Sequence, residues 1–149
     1  FAIDFAKKNK SRKIIIRYHP VIKDKFKNII NLNNFKVSNN TIENDCKKSR
    51  WAIYTNSTAI FEAILYGCIP LNLLNKELIN ANNPLWQIES NLIKQVRTKK
   101  DLLRVINETR RTSKLGESLN QEFNLLAKEM QNLISPLDDS IFFNLERKI

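Results

Sequence analysis

Three short stretches of this sequence carry residue types that could act on a phosphate-bearing ligand. The first is Arg17-Tyr18-His19-Pro20, which follows the apolar run Ile14-Ile15-Ile16. His19 is the one histidine of the chain. At the exit of a strand and stiffened by Pro20, its imidazole could donate a hydrogen bond to a phosphate or offset charge developing on a leaving group. Arg17 and Lys23 flank it and would add positive charge; Arg17 shares the face parity of His19 and reads equally well as a rim residue. The second stretch is Asn56-Ser57-Thr58, ahead of an apolar helical run from Ala59 to Tyr66. The first N–H groups of a helix lack partners and carry partial positive charge, so two hydroxyls beside them form a cradle for a phosphate. The third is Glu62, four positions after Thr58 and one turn deeper on the same face, where a carboxylate could accept hydrogen bonds from a ribose diol. A plainer reading stands beside each: His19 as a packing or turn residue, Ser57 as a simple N-cap, Glu62 as a solvated helix charge.

Other chemistries lack their residues. The chain has two glycines, Gly67 and Gly116, so neither GxGxxG nor GxxxxGK can be written in it. Ordinary nicotinamide dehydrogenases and P-loop NTPases are thereby excluded. Cys46 and Cys68 stand 22 positions apart, outside any CxxC and without a second histidine. That argues against a zinc site, a disulfide framework and a Ser/His/Asp hydrolase, and in favour of a reducing cytoplasm. No apolar run approaches the roughly 20 residues a bilayer span needs.

The elements that must position these residues follow from apolar periodicity. The chain opens as the end of a helix around Ile3, Phe5 and Ala6, then turns through a Lys/Asn/Ser/Arg patch from Lys7 to Arg12. The β-branched run Ile14–Ile16 predicts a buried strand covered on both faces. Val21 to Ile30 reads as a short helix or loop, and Phe35 to Ser38 as a second strand. Thr41 is the N-cap of a helix with Glu43 and Asp45 in its first turn and Lys47, Lys48 and Arg50 at its far end, matching the helix dipole. Trp51 to Thr55 predicts a third strand, and Gly67 closes the helix that follows. Ala63 and Gly67 are small enough to bring that helix close to a sheet. Pro70 to Leu74 predicts a fourth strand beginning at its proline, then a polar loop from Asn75 to Asn83, a short helix over Pro84 to Ser90 and a fifth strand over Leu92 to Val96. Thr98-Lys99-Lys100-Asp101 has the pattern of a capping box. A last long helix carries Leu115, Leu119, Phe123, Leu126, Met130, Leu133 and Ile134 at spacings of three and four, up to Pro136. Short strands alternating with helices predict an α/β domain: an open, doubly wound, Rossmann-like and mostly parallel sheet of about five strands, with helices on both faces and further C-terminal helices. Ligands of such sheets sit outside the carboxyl ends of the strands, where both polar segments would emerge.

At 149 residues, with 42% hydrophobic and 27% charged residues, the chain fits one folded domain. Its 25 Lys and Arg against 15 Asp and Glu leave a net charge of +10. The cations are spread along the sequence without interleaved aromatics, and the lysines accompany equally abundant Asn and Ile, as a codon bias toward A and T would produce. No nucleic-acid partner is expected, although a basic nucleic-acid-binding domain is the non-enzymatic alternative.

The segment Arg17-Tyr18-His19-Pro20, with Thr55-Asn56-Ser57-Thr58-Ala59-Ile60-Phe61-Glu62-Ala63-Ile64-Leu65-Tyr66-Gly67-Cys68-Ile69-Pro70 beginning 35 positions after Pro20, resembles the C-terminal nucleotide-binding half of a GT-B glycosyltransferase. The likeness is strongest to bacterial capsule and surface-polysaccharide enzymes with an HP motif and a later Ser/Thr motif, of sialyltransferase-like or Kdo-transferase-like type. It covers Lys13 to Val96, and the last helices by architecture. By this resemblance, residues 1–149 are one nucleotide-binding domain whose donor substrate is a nucleotide sugar, CMP-linked in the sialyl and Kdo types. His19 would contact the donor phosphate, with Arg17 beside it. Ser57 and Thr58 would hold that phosphate, and Glu62 the ribose. No metal or other cofactor is implied. The implied partners are a glycan or lipid-linked acceptor and an N-terminal domain that binds it and supplies the catalytic base, so these residues alone should not transfer sugar. The +10 charge could in turn attract an anionic membrane surface, which would make a cytoplasmic protein peripheral on the inner membrane face. A polyol-phosphate transferase or a sugar-nucleotide epimerase half-domain would share the same helix start and is the enzymatic alternative.

Overall fold

The computed structural model describes residues 1–18, 32–74, 83–109 and 115–133. The expectations for His19, Pro20, Lys23 and the Val21–Ile30 segment lie outside those residues, as do those for 75–82 and for the tail after 133. The elements run α1 (Ala2–Lys8), β1 (Ile14–Ile16), β2 (Phe35–Val37), α2 (Ile42–Cys46), β3 (Trp51–Tyr54), α3 (Ala59–Leu65), β4 (Ile69–Leu73), β5 (Lys94–Val96), α4 (Lys99–Glu108) and α5 (Leu115–Leu133).

Every strand pairing in these elements is parallel. β1 pairs with β2, placing Ile14 opposite Phe35, and a separate three-stranded sheet has the order β3-β4-β5, placing Trp51 opposite Ile69 and Leu71 opposite Lys94. The protein is therefore α/β with two small parallel sheets. β4 is the strand sealed on both faces: Ile69, Pro70, Leu71 and Asn72 are all buried. Ile14–Ile16 was the expected doubly covered strand, yet its three residues are only half-buried. A β-branched run reports a pleated backbone more faithfully than it reports what lies on each side.

The side-chain alternation of β3 sorts two cores. Ala52 and Tyr54 point to a cluster formed with Ile60, Ala63 and Ile64 of α3 and Leu126 and Met130 of α5. Trp51 joins the other face, where Ile69, Leu71 and Val96 pack under Phe5 of α1 and Leu102, Val105 and Ile106 of α4. Helices thus cover both faces of the three-stranded sheet, and Ile14 of β1 reaches the second cluster.

Helix ends follow their sequence signals closely. Thr41 Oγ1 accepts the Asn44 N–H at 3.3 Å. At α4, Thr98 Oγ1 accepts the Asp101 N–H at 3.0 Å while Asp101 Oδ2 accepts the Thr98 N–H at 2.9 Å, a complete capping box. Gly67 ends α3 at φ +93°, with its N–H bonded to the Ile64 carbonyl and the Cys68 N–H to the Ala63 carbonyl, the paired bonds of a Schellman motif. Pro70 is the second residue of its strand rather than the first. Over 84–87 the chain turns and does not form the expected helix. Asn83 Oδ1 accepts the Leu85 N–H at 3.1 Å, and Ser90 Oγ accepts the Leu92 N–H at 3.2 Å. These local side-chain bonds compete with helical ones and win here.

Candidate functional site

The strand exits of β1 and β2 meet in a polar cluster. Arg17, the residue after β1, donates from Nη1 to the Asn40 carbonyl at 2.8 Å and to Asp45 Oδ2. Asp45 lies on α2 and is buried, and its other carboxylate oxygen accepts from Asn40 Nδ2 at 3.2 Å. Burial alone would raise its pKa; hydrogen bonds from Ser38, Arg17 and Asn40 outweigh that and hold it below the usual carboxylate range. Arg17 is thus engaged at the crevice rather than pointing freely from its rim. Sequence reading had treated Asp45 as a first-turn dipole partner. Its spacing of three from Ile42, on the face that also carries Cys46, was the signal that it turns inward.

Cys46 connects this cluster to the next element. It is buried with Cys68 in the α3 core, and both thiols are free. Burial raises both pKa values, that of Cys68 to about 12, which leaves them poor nucleophiles. The Cys46 thiol is stabilised as a thiolate by the charge of Arg17 and opposed by those of Asp45 and Glu62. Arg17, from the β1 exit, and Glu62, from α3, therefore lie within electrostatic reach of one sulfur. Among the described residues, the hydrogen bonds and ion pairs join Arg17 to Asn40 and Asp45, and none joins it to Ser57, Thr58 or Glu62.

The start of α3 presents Ser57, Thr58 and Glu62 to solvent. Ser57 Oγ accepts the Ala59 N–H at 3.3 Å, and the Ser57 and Thr58 carbonyls accept the Ile60 and Phe61 N–H groups. Thr58 makes no side-chain cap bond. The Ala59, Ile60 and Phe61 N–H groups are thus already bonded within this turn, and the Thr58 hydroxyl and the Glu62 carboxylate stand at the surface. Tyr54, the last residue of β3, is buried beneath this turn; its hydroxyl has no partner among the described residues and burial raises its pKa.

A recess of about 580 Å³ lies elsewhere, between residues 89–91 and α5, lined among others by Glu89, Glu122, Lys128 and Glu129. None of the predicted site residues faces it, and three carboxylates against one lysine give it the wrong sign for a phosphate. Glu122 spends its carboxylate on the Asn91 N–H, at 2.6 Å. Among the described residues, no group of His, Cys, Asp and Glu could hold a metal ion, and no helix is long and apolar enough to cross a membrane. No protein family, curated protein or solved structure matches this chain.

Proposed function

We propose that this chain is the nucleotide-sugar-binding domain of a glycosyltransferase of bacterial surface-polysaccharide synthesis, GT-B in type. The reading rests on one observation above all: Arg17, at the exit of β1, and the Ser57–Thr58 turn, after β3, both follow the carboxyl ends of parallel strands. A parallel α/β domain takes its ligands at that edge. In this reading the two small sheets are segments of one five-stranded sheet in the order β2-β1-β3-β4-β5. The edges of β1 and β3 that lack a partner among the described residues would adjoin, as the shared packing of Ile14 and Trp51 on the Phe5 cluster favours.

The chemistry is displacement of a nucleoside phosphate from a sugar by an acceptor hydroxyl. Ser57 and Thr58 hold the phosphate, His19 donates to it as negative charge grows on the leaving group, and Glu62 accepts from the ribose hydroxyls. Arg17 sets the crevice wall through Asp45. Acceptor and catalytic base come from a partner domain.

Calorimetry with CMP, CDP, UDP and GDP tests this reading on the native chain and on His19→Ala, Thr58→Ala and Glu62→Ala. One nucleotide should bind, and each substitution should weaken it about tenfold, the loss of one hydrogen bond to a charged group. Indifference to all four nucleotides would overturn the assignment.

A further inference from the structure

Helix α5 carries a stripe that the fold leaves open. Glu122, Leu125, Glu129 and Asn132 follow one another at spacings of three and four, so they share one side of the helix. Leu126 and Met130 are sunk in the α3 core, whereas Leu125 is 66% exposed. Residues 89–91 stand across from this stripe and are fastened to it by Glu122, whose Oε1 accepts the Asn91 N–H at 2.6 Å and the Ser90 hydroxyl at 3.3 Å. Between the two runs the recess of about 580 Å³, with Leu125 and buried Leu126 in its lining.

The recess reverses the sign of the chain. Residues 83–93 and 121–132 hold three carboxylates, Glu89, Glu122 and Glu129, and one lysine, Lys128, a net of −2 in a chain of net +10. All four line the recess. Glu122 is half-buried and held by its bonds, while Glu89, Lys128 and Glu129 are exposed. None of the four forms an ion pair among the described residues. Salt screens charges more than about 8 Å apart, so a docking partner meets this local sign and not the total.

We propose that this side of α5 is a docking groove for a cationic amphipathic helix of another protein. Charge complementarity and the exposed leucine select that occupant together. An apolar residue of the incoming helix covers Leu125 and reaches toward Leu126, while its lysines or arginines pair with Glu89 on one wall and Glu129 on the other. A small cation would leave Leu125 in water, and a polyanion meets the wrong sign. A second copy of this chain has no such helix to give among the described ones: α4, the richest of them in cations, buries Leu102, Val105 and Ile106 against the sheet. None of the residues assigned to the nucleotide lines this groove, so the proposal stands apart from that reading.

Calorimetry of the native chain with two synthetic helices tests the proposal. Each helix has one face of leucines; the other face carries lysines in the first and glutamates in the second. The lysine helix should bind saturably and the glutamate helix should not. Glu89→Gln and Glu129→Gln should each weaken the lysine helix about threefold, as the loss of an exposed ion pair does, and Leu125→Ala about fivefold. Lys128→Gln should tighten it about twofold, a gain that a merely structural role for these positions would not produce. All four substituted side chains are exposed, so each variant should melt with the native chain. Absence of binding by the lysine helix, equal binding by the glutamate helix, or indifference to Glu89→Gln, Glu129→Gln and Leu125→Ala would each overturn it. So would self-association of the native chain that those same substitutions abolish, since the occupant would then be a second copy.

Discussion

Replacing Arg17 by Ala would strip the cation from a carboxylate that is 95% buried, since the Asp45 side chain retains only 5% of its exposure. Removing one partner of a fully buried ion pair costs about 3–5 kcal/mol because the remaining charge is left without compensation. Arg17 itself is 40% exposed, so water already screens part of the attraction, and Asn40 and Ser38 keep their bonds to Asp45. The expected loss is therefore about 2 kcal/mol, or roughly 6 °C in Tm for a domain of this size. The sign of the pH dependence follows from the depressed pKa. In the native chain the Asp45 contribution is fully present above its unfolded pKa of about 3.9 and is lost as pH falls toward the lower folded value. In the variant, burial dominates and the folded pKa rises, so acid relieves the unpaired charge. The stability gap between the two proteins should be widest at neutral pH and close as pH falls through about 4. Urea unfolding at several pH values reads this directly, with Asp45→Asn and the double variant completing a cycle. A gap of equal size at neutral and acid pH would refute the electrostatic argument. So would an Arg17→Ala protein of native stability that has lost nucleotide affinity, since Arg17 would then serve the ligand and not the crevice wall.

Two further substitutions test the local structure. Gly67→Ala should cost about 1 kcal/mol by strain alone, because the added Cβ meets nothing within 4 Å while φ stays at +93°, and Gly67→Asn should recover part of it; thermal melts compare the three. Thr98→Ala removes half of the capping box and should cost about 1 kcal/mol in urea unfolding, whereas Thr98→Ser should be nearly neutral.

What could be read from the sequence was whatever one segment decides for itself. The Thr41 cap, the Thr98–Asp101 box and the Gly67 terminus each depend on residues within one turn, and their partners were already fixed by spacing. The stretch from Pro84 to Ser90 failed for the same local reason in reverse: Asn83 and Ser90 offered the backbone turn bonds that the apolar spacing did not register. Contacts between distant segments were not legible. Arg17 meets Asp45 across 28 positions, and Asn34 reaches back as far as Ala6. Of the candidate site, sequence singled out Arg17 but missed Asp45, Asn40 and Ser38, which decide what Arg17 is attached to.

The two edges of the sheets use charge differently, and parallel topology is the cause. In the β3–α3–β4 unit the helix C-terminus faces the strands' amino ends, α1 and α2 likewise end just before β1 and β3, and the end of α4 is bonded by the residues that lead into β1 and β3. Lys7 and Lys8 close α1, Lys47 and Lys48 follow α2, and Arg12 and Arg50 bond the end of α4, so cations on this edge are stabilised by the fold before any partner arrives. At the opposite edge, Arg17 is neutralised by Asp45, and Glu62 adds a charge of the wrong sign for a phosphate. In the proposed reading, recognition of a nucleotide there would not draw on the excess of +10; it would come from the Thr58 hydroxyl and His19, a weak and selective set.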